Sequence, residues 1–584
     1  MLNINERFVQ EAYDEQNRLT SFRVTYPQDF NYAVQVLDAI AGEEPDKICM
    51  QWCNPEGERH SFTFGQMSLW SSKTAAYLQS LGIGKGDAVI VVLRRHYQFW
   101  FAAMALAKLG ALLIPATFML KEHDLSYRLE ASHAKAIIAT NVGDFADVVD
   151  AVLDGDDSVL RILVNGAGGG TLVDAEGNLP DSLRETCGET LSGDAGICAA
   201  DAQRKGWYDF NAGVREASSN FVAPAYDVYD PMIMYFSSGT TGNPKMVLHN
   251  STYALAHLLT GKHWHCVNPA GLHLTIADTG WGKAVWGKLY GQWLMEAAVM
   301  VYDFDRFNAA EILRIIGDYR VTSLCCPPTM YRMLIAEDLS VYDLSSLEYC
   351  TTAGEALNPD LFDFWKEHTG FEIHEGYGQT ETPLTIANLR GEALKPGSMG
   401  KPVPQYHVCI LREDGSECTM GETGEICIDV SDNPAGIMVE YYENPEKTRE
   451  AKHDGWYHTG DTAWKDEDGY FWYVGRNDDV IKSSGYRIGP FEIESVLLEH
   501  SAVKECAVTG VPDELRGMAV KATIVLNPPF TPSDDLIKEL QTWVKRRTAP
   551  YKYPRVVDFV DELPKTVNGK IMRTVIRDRD CKGQ

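Results

Sequence analysis

Hydrophobic and polar positions along the chain change period many times, and each change predicts an element. Residues 1–60 read as a helical lead-in, a short strand Lys47–Cys53 and a turn over Asn54–Gly57. Phe64–Leu81 has the 3.6-residue spacing of a helix. Asp87–Leu93 is a Val/Ile strand, Phe99–Lys108 a helix, and Ala111–Pro115 and Ala136–Ala139 short apolar strands. Strands alternating with helices predict α/β layers. Residues 166–220 lack apolar periodicity and are rich in Gly, Asp, Glu and Ser, which predicts a long connection with little regular structure.

The alternation resumes at Pro231–Tyr235, a strand running into a Gly/Ser/Thr loop. Helix Phe307–Tyr319 and strands Ser323–Cys326, Leu347–Thr351 and Glu372–Tyr377 follow. Several of these strands end in polar loops, where α/β sheets bind ligands. From Val403 the pattern turns to short alternating β segments at Tyr406–Arg412, Gly424–Val430 and Tyr470–Tyr473. Beyond these come helix Pro490–His500, strands Glu505–Gly510 and Lys521–Val525, and helix Ser533–Arg547, a compact α+β unit. The fold class expected is α/β with mixed sheets: a large body of several subdomains, 1–478, with a β-rich subdomain at about 403–478, and a C-terminal α+β domain, 479–584.

Composition narrows the classes. The chain has 584 residues, 45% of them apolar and 23% charged, with a net charge of −29. That argues against disorder and against a surface that coats nucleic acid. The 479–584 segment holds 17 basic and 15 acidic residues, so the acid belongs to the body. Thirteen scattered cysteines without a C-x-x-C argue against zinc-ribbon and thioredoxin chemistry and favour reduced thiols. With no signal-peptide pattern and no apolar run of bilayer length, a cytoplasmic protein without a membrane span is expected.

The strongest local signal is Tyr235-Phe-Ser-Ser-Gly-Thr-Thr-Gly-Asn-Pro-Lys245. Gly239 and Gly242 let amides turn inward, Ser237, Ser238, Thr240 and Thr241 supply hydroxyls, and Lys245 a mobile charge. The spacing departs from the P-loop, which disfavours a kinase. With this loop and five further motifs in family order, the chain resembles the adenylate-forming superfamily of acyl-CoA synthetases, adenylation domains and luciferases. Within it, the medium-chain acyl-CoA and acetyl-CoA synthetase branch is most similar.

The resemblance implies roles, residue by residue. The Ser237–Lys245 loop would handle the ATP β- and γ-phosphates. Thr351-Thr-Ala-Gly-Glu-Ala356, with Gly354, Glu355 and Ala356, would line the adenine pocket. In Gly376-Tyr-Gly-Gln-Thr-Glu-Thr382, Tyr377 would flank adenine, Thr380 bond the α-phosphate and Glu381 hold Mg²⁺. Asp461 of Tyr457-His-Thr-Gly-Asp461 would accept the ribose hydroxyls. Arg476 would close the nucleotide site and Asp478 act as the hinge. Gly485 would lie beside the pantetheine tunnel, Arg487 contact phosphate, and Lys570 serve as the catalytic lysine of the adenylation state.

The implied reaction is ATP-dependent, AMP- and pyrophosphate-forming ligation of a carboxylic acid to coenzyme A, in fatty-acid and lipid metabolism. The C-terminal domain would be a mobile lid that presents Lys570 and then Gly485. Acetate-specific relatives carry Trp where this chain has Gly378, so the acid is expected to be longer or bulkier than acetate. Trp281, Lys283 and Trp286 resemble acyl-pocket positions and would favour short, branched or aryl acids. Arg94-Arg95-His96 offers an anchor for CoA phosphates. An acceptor other than free CoA is the mechanistic alternative, an acetate–CoA ligase a narrower one, and a non-catalytic nucleotide sensor a different class. Homo-oligomerisation stays open.

Overall fold

The computed structural model describes residues 2–165, 172–173, 177, 204–237, 243–355, 357–483, 486–513, 515–565 and 571–582. Two large sheets share one apolar layer. The first runs, in spatial order, Glu440–Tyr441, Lys245–Asn250, Pro231–Ser237, Leu112–Pro115, Ala88–Val92, Ala136–Thr140, Leu160–Val164 and Trp207–Asp209. It is parallel from Pro231–Ser237 onward and antiparallel at the other edge. The second places the parallel strands Ile373–Gly378, Tyr349–Ala353, Ser323–Cys325, Leu272–Thr275, Ala298–Tyr302 and Ile48–Cys53 side by side. Antiparallel strands flank both of its ends.

Parallel strands covered on both faces need apolar residues at every position. Ala88–Val92 meets that demand: Val89 and Val91 enter the core between the sheets, while Ala88, Ile90 and Val92 face the outer layer. Helix Gln98–Leu109 lies in the shared core and is buried at almost every position. Helix Phe64–Ser80 starts at a capping box, with Thr63 accepting from the Gln66 amide and Gln66 from the Thr63 amide.

The β-rich segment is a five-stranded antiparallel sheet built on Gly424–Asp429 and Trp456–Lys465. Hairpin Ile481–Ser483/Tyr486–Ile488, strands Val503–Asp513, Gly517–Leu526 and Val556–Phe559, and helices Pro490–Leu498 and Asp534–Arg547 enclose a separate core. Asp534 and Asp535 open the last of these helices and Lys545–Arg547 close it, matching the helix dipole.

Two expectations change. The N-terminal lead-in is not wholly helical: Val9–Tyr13 and Leu19–Val24 form a β-hairpin ahead of the helical turns Ala33–Asp38 and Ala39–Glu43. Within 166–220, Trp207–Asp209 is a sheet-edge strand and Phe210–Glu216 a helix, capped by Asp209. Among the described residues no helix is long and apolar enough to cross a membrane.

Candidate active site

A cleft of about 700 Å³ opens where both large sheets and the β-rich sheet meet. Its walls carry Ser237, Lys245, Trp281, Lys283, Trp286, Gly354, Glu355, Tyr377, Gly378, Thr380, Glu381, Asp461 and Arg476. Residues 239 positions apart, Ser237 and Arg476, therefore share one cavity. Most stand at the carboxyl ends of parallel strands, where the chain leaves Pro231–Ser237, Tyr349–Ala353 and Ile373–Gly378.

Asp461 is tightly constrained. It is 6% exposed and sits on strand Trp456–Lys465, opposite Arg476. Its Oδ2 accepts from the Tyr377 hydroxyl at 2.7 Å and from Gln379 Nε2 at 2.6 Å, and its Oδ1 from the Tyr473 hydroxyl at 3.2 Å. Gln379 is itself locked, since Tyr457 donates to its Oε1 at 2.7 Å and its Nε2 also reaches the Thr459 carbonyl at 2.8 Å. Burial, then the Asp461 charge, hold the Tyr377 phenol protonated. Burial opposes the charge on Arg476, yet Asp461 and Asp478 raise it above the ordinary guanidinium value. Its Nε lies 3.5 Å from Asp478 Oδ1.

A tyrosine links Lys245 and Glu381. Tyr441 donates to Glu381 Oε1 at 2.9 Å, and its ring centroid lies 4.9 Å from Lys245 Nζ. Burial lowers the Lys245 ammonium, while Glu381 pulls the other way. The Thr380 carbonyl accepts from His249 Nε2 at 2.8 Å, and burial holds that imidazole neutral with its value down to about 4. The partly exposed Glu381 carboxylate is a hard oxygen donor and fits Mg²⁺.

On another wall of the cleft, Trp286 is backed by His257, Trp264 and His265, with ring centroids at 6.2, 6.1 and 5.8 Å. Lys283 Nζ donates to the Ala353 carbonyl at 3.0 Å. Among the described residues His257 Nε2 and Trp281 Nε1 are buried without a hydrogen-bond partner, and both residues line the cleft. A Cβ on Gly378 would lie 2.4 Å from the Pro383 carbonyl, so close backbone approach requires this glycine.

Glu355 lies at the rim and accepts from the Thr329 hydroxyl at 2.7 Å. The Asp478 carbonyl accepts from Arg577 at 3.1 Å, tying the expected hinge to helix Arg573–Lys582. Arg487 lies in strand Tyr486–Ile488, paired with Lys482. Ser238, Gly239, Thr240, Thr241, Gly242, Ala356, Gly485 and Lys570 lie outside the described residues.

Arg94-Arg95-His96 is not an exposed anchor for CoA phosphates. All three are buried: Arg94 pairs with Asp305, Arg95 donates to the Phe304 carbonyl at 2.9 Å, and His96 Nδ1 meets Asp303 at 2.6 Å. Sequence reasoning missed His249, Tyr441 and His257, which no motif marks. Gln379, Tyr457 and Tyr473 sit inside the quoted motifs, which is where a signal for them existed.

Residues 37–442 match the AMP-binding enzyme family and 492–570 its C-terminal domain. The chain is 40% identical to rat "Acyl-coenzyme A synthetase ACSM4, mitochondrial", covering 95% of this chain and 91% of that protein. It is also 40% identical to human "Acyl-coenzyme A synthetase ACSM5, mitochondrial", over 96% and 92% of the two chains. The anthranilate CoA ligase AuaEII, solved with anthranoyl-AMP, superposes with a TM-score of 0.81 at 28% identity, over 96% and 98% of the chains. A benzoate CoA ligase from Burkholderia xenovorans LB400 does so at 0.76 and 26%, over 94% and 100%. The mitochondrial designation of the ACSM relatives overturns the cytoplasmic placement. Reduced thiols argue only against an oxidising compartment and do not choose between the two.

Proposed function

Since this chain belongs to the AMP-binding enzyme family, in its acyl-CoA synthetase group, we propose that it ligates a short- or medium-chain acid, branched and aryl acids favoured, to CoA. The chemistry is ATP-dependent and passes through an acyl-adenylate. The observation that carries the substrate reading is the Trp286 wall, stacked on His257 and backed by Trp264 and His265. A rigid aromatic wall suits a flat or compact acyl group better than a long flexible chain. His257 Nε2, unpartnered among the described residues, adds a polar recognition point in the same cleft. The anthranilate and benzoate ligases among the structural neighbours activate aryl acids by name, which supports the same reading.

In the first half-reaction a carboxylate oxygen attacks the ATP α-phosphorus, the bond to the β-phosphate oxygen breaks, and pyrophosphate leaves. Charge grows on the phosphoryl oxygens, so the chain's part is positioning and electrostatics. Lys245 faces the phosphate side, steadied by Tyr441. Thr380 is held by His249, and Asp461 presents the ribose acceptor, oriented by Gln379 and Tyr473. Mg²⁺ held by Glu381 would neutralise phosphate charge. In the second half-reaction the CoA sulfur attacks the acyl carbon, its proton is lost, and the carbon–oxygen bond to AMP breaks. The C-terminal unit, 479–584, would act as the lid, with Asp478 the hinge and Lys570 and Gly485 presented in turn. Arg487 would contact phosphate.

The test is AMP release with ATP, Mg²⁺ and linear, branched and aryl acids of about two to about ten carbons, with and without CoA. Compact branched or aryl acids should give the highest kcat/KM. A preference for long linear acids overturns the substrate reading, and AMP from no acid overturns the reaction. Lys570→Ala should block adenylate formation yet spare thioester formation from supplied adenylate. Equal loss of both steps removes the two-position lid.

A further inference from the structure

The β-rich sheet carries a second chemical group of residues beside the cleft. Glu425 and Cys427 alternate along strand Gly424–Asp429, and Cys427 pairs across the sheet with His458. The register shifts between Glu425 and Cys427, a β-bulge that lets the Gly460 amide donate to Glu425 Oε1 at 2.8 Å. His458 Nδ1 then lies 3.1 Å from Glu425 Oε2 and 3.5 Å from Cys427 Sγ. One ligand atom from each of the three residues falls within 4.8 Å of the others.

The 3.1 and 3.5 Å separations at His458 Nδ1 lie close to the edge lengths of a metal tetrahedron. With bonds of about 2.3 Å to sulfur and about 2.0–2.1 Å to nitrogen or oxygen, Zn²⁺ spaces its ligand atoms by roughly 3.3–3.6 Å. Among the described residues His458 Nε2 has no hydrogen-bond partner, while Nδ1 faces Glu425 Oε2, so cation binding at Nδ1 would shift the ring proton from Nδ1 to Nε2. His453 stacks on the His458 ring at 3.9 Å and 12°, which fixes its plane. We propose that Cys427 Sγ, His458 Nδ1 and the Glu425 carboxylate form a binding site for one thiophilic divalent cation, Zn²⁺ by its ligand chemistry, with the fourth position left to water.

On binding, the Cys427 thiol proton goes to solvent, and thiolate plus carboxylate neutralise the cation's two charges. Mg²⁺ prefers a shell of oxygens and does not compete for a thiolate–imidazole pair. The site is therefore chemically separate from the Mg²⁺ position proposed at Glu381. It is nonetheless adjacent to the nucleotide cleft, because Glu425 and His458 line that cleft and Asp461 follows His458 by three residues.

The experiment titrates Co²⁺ into full-length, chelator-stripped protein without a polyhistidine tag. About one equivalent should produce a near-ultraviolet thiolate-to-cobalt band with visible bands of tetrahedral strength, removed by Zn²⁺ but not by excess Mg²⁺. Cys427→Ser should abolish the charge-transfer band. His458→Gln and the gentler Glu425→Gln should each weaken Co²⁺ binding at least about tenfold. Cys409→Ser, which changes the thiol directly across the sheet from Cys427, should leave the spectrum intact. No stoichiometric band, a band that survives Cys427→Ser, or a band that Cys409→Ser removes overturns the assignment. If Cys427→Ser does not fold, an unweakened Glu425→Gln does so.

Discussion

Gln379 and Asp461 are joined by a 2.6 Å hydrogen bond that spans the seam between the second large sheet and the β-rich sheet. Tyr457 fixes which way the Gln379 amide points, so its NH₂ group faces the carboxylate. A hydrogen bond to a charged group contributes about 1.5–3 kcal/mol. Gln379→Ala should therefore raise the ATP KM roughly ten- to hundredfold, through misplacement of Asp461, the proposed ribose acceptor. The KM for the acid should change little, because Gln379 acts through Asp461. Steady-state kinetics with each substrate varied in turn checks this; an equal rise in both KM values contradicts it.

Glu375 makes stability pH-dependent. It is 3% exposed, and burial pushes its carboxyl up to about 8, with the Leu357 amide opposing weakly. Between the ordinary glutamate value of 4.5 and about 8 the folded protein keeps a proton that the unfolded chain releases. Stability contributed by this group is whole below 4.5 and is lost as pH rises through that window. Glu375→Gln keeps the shape and the acceptor for Leu357 without a charge to expose. Its Tm should fall less than wild type's as pH rises from about 5 to about 8. Parallel Tm profiles in scanning calorimetry would rule the account out.

The α/β plan was legible because strands such as Ala88–Val92 are buried on both faces and must be apolar throughout. The strand Val9–Tyr13 was not, because only Val9 and Glu11 of it are even half-buried. Its register is held from afar, with Glu11 bonded at 2.7 Å by both Lys262 and His263. The same distinction divides the site. Thr380, Glu381 and Asp461 stand in contiguous motifs, whereas Tyr441 reaches Glu381 across 60 positions and His249 reaches Thr380 across 131. The Arg94–His96 run was misread for the converse reason. A basic tripeptide looks exposed until Asp303, Asp305 and Phe304 close over it.

Gly378 separates two explanations of acyl selectivity. If the position simply sets pocket depth, Gly378→Trp should shorten the pocket and favour acetate. Here a Cβ would meet the Pro383 carbonyl at 2.4 Å, so the loop carrying Thr380 and Glu381 must move first. Forced overpacking costs about 1–3 kcal/mol, or roughly ten- to hundredfold in kcat/KM if it falls on the transition state. The expected outcome is a loss of that size for every acid, acetate included, with a higher ATP KM. A selective gain for acetate would show that the loop absorbs the side chain.

Trp286 should set the upper size of the acyl group. Its ring is stacked on His257 at an interplanar angle of 14°, with Trp264 and His265 behind, so it has little room to swing aside. Lys283 Nζ, 5.9 Å from the ring centroid, is anchored to the Ala353 carbonyl. Trp286→Ala removes the wall while leaving that anchor. Each methylene the enlarged slot accommodates is worth about 1–3 kcal/mol in discrimination. Linear acids longer than the wild-type optimum should therefore gain about tenfold or more in kcat/KM, and compact aryl acids should lose their packing surface and fall. The ATP KM should stay within about twofold of wild type, because Asp461, Gln379 and Tyr473 lie on other elements. The chain-length profile of the variant, measured with ATP and CoA saturating, decides the matter: an unchanged profile would place the acyl group away from Trp286.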